Sequence, residues 1–273
     1  MIPPAFDYLR VDSAPAAVAA LTEHGDDAKL LAGGHSLIPL LKLRLAQPSV
    51  LVDVGRLTEL SYVRDQGDHI AIGALTRHRD VERSPLLARA NPLLAHAAGH
   101  VGDPQVRNRG TIGGSLAHGD GASDLPAVVL ALGGTLVAQG PDGTREIPAS
   151  EFFHGFLETA LAPDELLTEV RVPPISGGGW SFQKFNRRAQ DWAIVGCAVV
   201  RNGSTGVALV NMGSVPLQAA AVEAALAAGA SNAEAAELAA DDTDPPSDIH
   251  GSAEYRSHLA RVLVRRALDE ADA

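Results

Sequence analysis

A single cysteine, Cys197, is all the thiol this chain has. One thiol forms no intrachain disulfide, and it cannot hold a thiolate zinc site or an iron–sulfur cluster without ligands from another chain. Cationic side chains are also short in supply: 22 Lys and Arg face 33 Asp and Glu, a formal charge of −11. That balance argues against nucleic acid or an anionic membrane as the main partner. It also means that an anionic ligand must be held by local donors. The opening "MIPPAFDYLR" has no basic segment followed by an apolar run, so no secretory signal is expected. The longest Ala-rich run, "QAAAVEAALAAGA", is too short and too weakly apolar to span a bilayer. The expected location is a reducing cytoplasm, with no membrane insertion.

What remains is ordinary globular material. The 273 residues are 46% hydrophobic and 20% charged, enough for two or three small domains sharing a core. The first fifty residues read strand–helix–strand. Ser13 caps a helix carrying Ala16, Val18, Ala19 and Leu21, and Gly25 ends it. "AKLLAGG" is a short strand running into a turn, Ser36 caps a brief helix, and "SVLVDV" is a β-branched buried strand. "YVRDQGDHIAIGA" reads as a hairpin around Gln66-Gly67-Asp68, and residues 76–100 as helix broken by Pro85 and Pro92. A further helix begins at Ser123 and ends at Gly133-Gly134. A second hairpin turns at Pro141-Asp142-Gly143, and "ELLTEVRVPP" alternates like a strand. "ISGGGW" is the best linker candidate and puts a domain boundary near residue 175. Beyond it come three strands and two or more helices, interrupted by the polar loop "DDTDPPSDIHG". Strands and helices come in blocks, which predicts an α+β fold.

Two glycine clusters share one form: "AGGHS" over residues 32–36 and "TIGGS" over residues 111–115. Each is expected to expose consecutive backbone N–H groups, with Ser36, Thr111 and Ser115 adding hydroxyls. Such rows of donors bind phosphate without a cationic side chain, which suits an acidic protein. Either cluster alone reads first as a tight turn that needs positive φ, and it is the two together that favour the phosphate reading. Neither is a Walker loop, and neither has the spacing of a Rossmann fingerprint.

With these motifs in view, "KLLAGGHSLIPLLKLRLAQPSVLVDVGRLTEL", "IAIGALTRHRDVE", "GDPQVRNRGTIGGSLAHGDGASDLPAVVLALG" and "FQKFNRRAQDWAIVGCA" resemble the FAD-binding medium subunit of molybdenum-containing hydroxylases, of the carbon monoxide dehydrogenase and xanthine dehydrogenase type. The resemblance implies a two-subdomain FAD-binding domain of the vanillyl-alcohol-oxidase type over residues 1–175, with subdomains at about 1–54 and 55–175. A smaller sheet-and-helix domain over residues 176–273 would follow. Carried over motif by motif, Ala32, Gly33, Gly34, His35 and Ser36, with Thr111, Ile112, Gly113, Gly114 and Ser115, would embrace the pyrophosphate. Asp124 would bond a ribose hydroxyl. Val101 and Leu167 match apolar cofactor contacts, Lys184 matches a basic position near the flavin, and Trp192 stands where relatives place an aromatic near the isoalloxazine. Gly121 replaces a proline common in relatives, which predicts a looser "HGDGASD" segment.

The resemblance also implies a function. Substrate would be oxidised at a molybdenum cofactor on a large subunit, and electrons would pass through [2Fe–2S] clusters on a small subunit to FAD on this chain. They would then leave to an external acceptor. A dimer of heterotrimers is the implied assembly. A stand-alone FAD-dependent oxidase or dehydrogenase on the same scaffold is the alternative. No catalytic dyad and no metal ligand is assigned on this chain.

Overall fold

Residues 7–53 form a small parallel unit in the computed structural model, which describes residues 2–273. Strands β1 (Asp7–Arg10), β2 (Ala28–Leu31) and β3 (Val50–Asp53) make a three-stranded sheet ordered β1–β3–β2. Helices α1 (Ala14–His24) and α2 (Leu37–Leu43) are its crossovers. The Ser13 hydroxyl accepts from Ala16 N, Pro15 sits in the first turn, and Gly25 closes α1 at φ +52°. These are the caps that the sequence predicts. Ala17, Val18 and Leu21 are buried and seal the helix onto its sheet.

The middle of the chain builds a five-stranded sheet ordered β4–β5–β10–β6–β7, antiparallel throughout. Strands β4 (Val63–Asp65) and β5 (Ile70–Gly73) are the hairpin at Gly67, and β6 (Thr135–Gly140) and β7 (Gly143–Pro148) the hairpin at Gly143. A short hairpin, β8 (Phe153–Gly155) and β9 (Glu158–Thr159), precedes β10 (Leu166–Val172). The helices of this unit are α3 (His78–Glu82), α4 (Pro85–Ala90), α5 (Pro92–Gly99), α6 (Pro104–Arg107), α7 (Ile112–His118) and α8 (Asp124–Ala131). Pro85 and Pro92 start α4 and α5, each at the first helical position, where a missing N–H costs nothing.

The last unit is a four-stranded antiparallel sheet: β11 (Trp180–Phe185), β12 (Val195–Asn202), β13 (Ser204–Val210) and β14 (Leu217–Gln218). Helices α9 (Ala220–Ala227), α10 (Asn232–Glu237) and α11 (Ala253–Ala271) follow, and α11 packs on β11 and β12. The sheet's other face rests on α8, every residue of which is buried. A helix apolar all round belongs inside a core. Accordingly one cluster of buried side chains runs from Val128 and Leu130 of α8 to Ala198, Val200 and Ala208 of the last sheet.

Two glycine expectations change here. Gly121 does not loosen its segment: it is buried, its carbonyl accepts from Asn211 N at 2.8 Å, and a Cβ there would lie 2.8 Å from Gly213 O. The "ISGGGW" stretch is no slack tether either. A Cβ on Gly178 or Gly179 would strike the carbonyls of Arg201 and Ala271, so these glycines let the chain cross the last sheet at close quarters. The Gly121 contacts, by contrast, hold the last unit against the segment that leads into α8, which carries Asp124.

Candidate functional site

The first glycine cluster is a turn between β2 and α2. Gly34 needs it to be one, at φ +79°. Among the described residues, none of the N–H groups of Gly33, Gly34, His35 and Ser36 meets a protein acceptor. Ser36 occupies the N-cap of α2, yet its hydroxyl makes no capping bond. Four consecutive amides and one hydroxyl are therefore uncommitted, in the pattern that holds a phosphate.

The second cluster is not a loop, which corrects the sequence expectation. Thr111 is the N-cap of α7 and accepts from Gly114 N at 3.1 Å through Oγ1. Gly113 N is bonded to Ala74 O at 2.8 Å, and Ser115 N to Thr111 O at 3.1 Å. The amides from Ile112 to Ser115 are committed inside the protein. What the cluster offers is the Ser115 side chain and a bare glycine wall.

The glycines also divide by what they clear. A Cβ on Gly33 would run into Arg109 O and lie 2.9 Å from Gly110 Cα, so Gly33 lets the two clusters' backbones meet. A Cβ on Gly113 would lie 2.5 Å from Ala74 Cβ and 2.6 Å from Ala74 O, and here α7 presses on β5's continuation. Gly114 differs. Its Cβ would meet the Thr111 hydroxyl at 2.7 Å and otherwise open space.

That space is a cavity of about 750 Å³ enclosed by both clusters. All the sequence-predicted positions line it except Ile112, which is fully buried on the far side of α7. Val101 and Leu167 give apolar wall, and Trp192 stands at the rim, 56% exposed. The volume suits a large ligand, near the upper end of small-molecule sites.

Asp124 and Lys184 line the same cavity but face each other. Lys184 Nζ lies 2.7 Å from Asp124 Oδ2 and donates to His100 O at 2.9 Å. Both side chains are buried, at 7% and 4% exposure. Asp124 Oδ1, equally buried, has no partner. Burial pushes the Asp124 carboxyl up to about 6, against the pull of the Lys184 ammonium. The expected roles for these residues, one at a ribose and one at the flavin, therefore start from a mutual ion pair.

Several lining residues had no motif to mark them. Ser123 lines the cavity with no capping bond of its own. Lys29 lies on β2, and Glu165, paired to Arg145 at 2.7 Å, precedes β10. His78 sits in the floor, 5% exposed, with Nδ1 unpartnered. Burial, then the nearby His35, Arg107 and Arg77, hold its imidazole down to about 4, so it is neutral at physiological pH. Nothing in "LTRHRDVE" distinguishes His78 from a surface histidine, because its burial comes from Gly110 packing against the ring.

Comparison with known proteins bears directly on this cavity. A family model described as the FAD binding domain in molybdopterin dehydrogenase matches residues 4–175, and one described as the CO dehydrogenase flavoprotein C-terminal domain matches residues 180–271. The chain is 44% identical to the carbon monoxide dehydrogenase medium chain of Hydrogenophaga pseudoflava, covering 99% of this chain and 98% of that one. It is 40% identical to subunit alpha of the 6-hydroxypseudooxynicotine dehydrogenase complex of Paenarthrobacter nicotinovorans, over 99% of this chain and 96% of the other. A solved carbon monoxide dehydrogenase from Hydrogenophaga pseudoflava contains a chain that superposes with a TM-score of 0.96 at 45% identity, covering 99% of this chain and 98% of that chain.

Proposed function

The chain belongs to the FAD-binding medium-subunit family of molybdenum hydroxylases, and from that premise we propose that its cavity holds FAD between the two glycine clusters, with the residues named above as its ligands. The observation that carries the site assignment is the set of unpartnered amides from Gly33 to Ser36 opening on a cavity of this size. In a chain of charge −11, those N–H groups supply the partial positive charge a pyrophosphate requires. Ser36 and Ser115 add hydroxyl donors at the two walls, and Gly114 leaves room for an oxygen to approach. The orphaned Asp124 Oδ1 fits a ribose hydroxyl donor, since a buried acceptor left unpaired is costly. When bound, FAD exchanges electrons singly or in pairs, which is the chemistry that joins one-electron centres to two-electron acceptors.

This subunit passes electrons; substrate oxidation belongs to other chains. It has one buried cysteine and so cannot supply the thiolate set of a [2Fe–2S] cluster. Its relatives are named for different substrates, carbon monoxide and 6-hydroxypseudooxynicotine, while sharing about the same identity with it. That supports a reading in which the substrate is selected on the molybdenum chain. We place the chain in a dimer of heterotrimers with an iron–sulfur small subunit and a molybdenum large subunit, in the cytoplasm. No helix among the described residues is long and apolar enough to cross a membrane.

The relay is tested anaerobically. The flavin-loaded chain alone, mixed with carbon monoxide, a purine, an aldehyde or an N-heteroaromatic, is expected to keep its yellow colour. Rapid bleaching is expected only in the assembled complex with its cognate substrate. Catalytic bleaching without iron or molybdenum would replace the relay with a self-contained flavoenzyme.

A second expectation follows from Asp124. A ribose hydroxyl bonded to its carboxylate favours the ionised form, so FAD affinity should be level above pH 7 and fall as pH drops through about 6. His78, neutral down to about 4, does not titrate in this window. Flavin released from the complex, followed by fluorescence, gives the curve. Asp124→Asn should lower affinity about tenfold and remove the inflection, a loss in keeping with a charge-assisted bond. Wild-type affinity that stays level from pH 5 to 8 argues against Asp124 as the ribose acceptor.

A further inference from the structure

The C-terminal end of α5 carries two histidines that the cofactor cavity does not use. His96 lies in the last turn and His100 at the C-cap, four residues apart, so they stand side by side on one helix face. Both are exposed, and their ring centres lie 4.7 Å apart. Among the described residues, the histidine rings that make hydrogen bonds inside the protein are His69 and His154, so both of these are uncommitted. Partial burial, then His96 and Lys184, hold the His100 imidazole below its ordinary range, which leaves it neutral with a lone pair to give. The pair opens on a cleft of about 420 Å³ walled by Glu82, Pro92 and Trp180, and this cleft shares no lining residue with the cofactor cavity.

Two histidines at this spacing on a helix chelate a metal when both rings reach one ion. A first-row metal about 2.0–2.1 Å from each nitrogen sits about 3.2 Å from each ring centre. Rings 4.7 Å apart then subtend about 95° at the metal, close to the right angle of a square-planar or octahedral ion and short of the tetrahedral angle of about 109°. Charge favours a cation here as well. The chain is acidic at −11, and carbonyls at a helix C-terminus carry partial negative charge. The cations that act on His100 are already matched: Lys184 by Asp124 at 2.7 Å, and Arg107 by Glu82 at 2.9 Å.

We propose that His96 and His100 form a chelating site for a divalent transition metal of the Cu²⁺ or Ni²⁺ kind, on the surface and apart from the flavin. Among the described residues no group of three His, Cys, Asp or Glu is placed to hold a metal, so water fills the remaining positions and the site is an open one. Glu82 binds Arg107 through Oε2, and a Cβ on Gly99 would lie 3.6 Å from its Oε1. That second oxygen stands beside the turn joining the two histidines, where it can accept from a metal-bound water. Zn²⁺ favours a tetrahedron, and Mg²⁺ and Ca²⁺ favour oxygen, so all three fit the pair less well. The ion would brace the end of α5, where His100 O receives the Lys184 ammonium at 2.9 Å.

The test uses the full, untagged chain and the metal salts alone. Titrated with NiCl₂ in a calorimeter, the wild type should take up one ion per chain, and more tightly than it takes Zn²⁺. With one equivalent of CuCl₂, electron paramagnetic resonance should show two imidazole nitrogens on the copper. NiCl₂ at a hundredfold excess over its Kd should raise the Tm by about 5 °C. His96→Gln changes an exposed side chain, so the metal-free variant should keep the wild-type Tm and flavin content. Its Ni²⁺ affinity should fall at least tenfold and the Tm shift should vanish, with the same loss in His100→Gln. His154→Gln, at an exposed histidine without a neighbour, should bind Ni²⁺ as the wild type does. Wild-type affinity in His96→Gln, a copper spectrum with a single nitrogen, or tighter binding of Zn²⁺ than of Ni²⁺ each overturns the chelate.

Discussion

Gly114→Val is expected to give a folded chain that has lost its flavin, whereas Gly33→Ala is expected to give a chain that folds poorly. The same residue type is present at both positions for opposite reasons. At Gly114 the new side chain meets only the Thr111 hydroxyl before it enters the cavity. Disturbing that cap costs about 1 kcal/mol, and replacing a helical glycine returns up to about 1 kcal/mol with Ala and somewhat less with Val. Stability should therefore change little. The branched side chain occupies the space the pyrophosphate needs, and FAD affinity should fall by at least a factor of about ten, with Gly114→Ala intermediate. At Gly33 even a methyl group meets backbone: Arg109 O and Gly110 Cα cannot move aside as a flexible side chain would. The loss there should be about 1–3 kcal/mol, read as a lower Tm whether or not FAD is present. Far-UV dichroism, thermal melts and flavin content of both variants decide the matter. A stable, fully yellow Gly114→Val chain would falsify the approach of a phosphate to that wall. A stable, colourless Gly33→Ala chain would mean that Gly33 makes room for the phosphate and not for the Arg109–Gly110 backbone.

Local chemistry explains which parts of the fold were legible in the sequence. The Ser13 cap, the Gly67 and Gly143 hairpins and the strand before Pro173 are each specified by a few neighbouring residues, and the structure has them. Helix α7 was not legible, because two glycines in its first turn lower helix propensity and look like a loop. Gly113 is required there by Ala74, which comes from a different strand end. Ile112 belongs to the same motif, but the phase of α7 turns it into the core and away from the cavity. The β8–β9 hairpin had no Asn-Gly or Pro-Gly signal to announce it, and Leu157 reaches φ +57° without one. Burial of His78 and the meeting of Asp124 with Lys184 depend on packing between units far apart in sequence. A motif can name such residues but cannot pair them.

The pairing carries the other large effect: Lys184→Met is expected to be the most destabilising single change at this site. Lys184 on β11 reaches Asp124 at the start of α8, so the ion pair links the last unit to the middle one. Its second bond, to His100 O, takes up a carbonyl at the C-terminal end of α5. Removing the ammonium leaves Asp124 buried with neither oxygen partnered, and because the stranded carboxyl can take a proton instead, the cost grows by about 1.4 kcal/mol per pH unit above 6, to about 3 kcal/mol at pH 8. For a chain of this size that is a Tm loss of roughly 10 °C. The double variant Asp124→Asn with Lys184→Met should recover most of it, because both charges leave together, and the coupling between the two sites should be large. The pH dependence gives a sharper signature. In the wild type the folded carboxyl titrates at about 6, above its ordinary range, so the folded state holds more protons than the unfolded one. Its contribution to stability is greatest at low pH, declines as pH rises toward 6 and is level beyond. Without Lys184 the carboxyl moves higher still and the decline continues past 6. The Lys184→Met deficit should thus be small at pH 5, where the acid is neutral in both proteins, and reach its full size by pH 8. The double variant should show no such growth. Chemical denaturation of the apo chain at both pH values isolates this from flavin binding, and a deficit equal at pH 5 and pH 8 would mean that Lys184 acts by packing its methylene chain and not by neutralising Asp124.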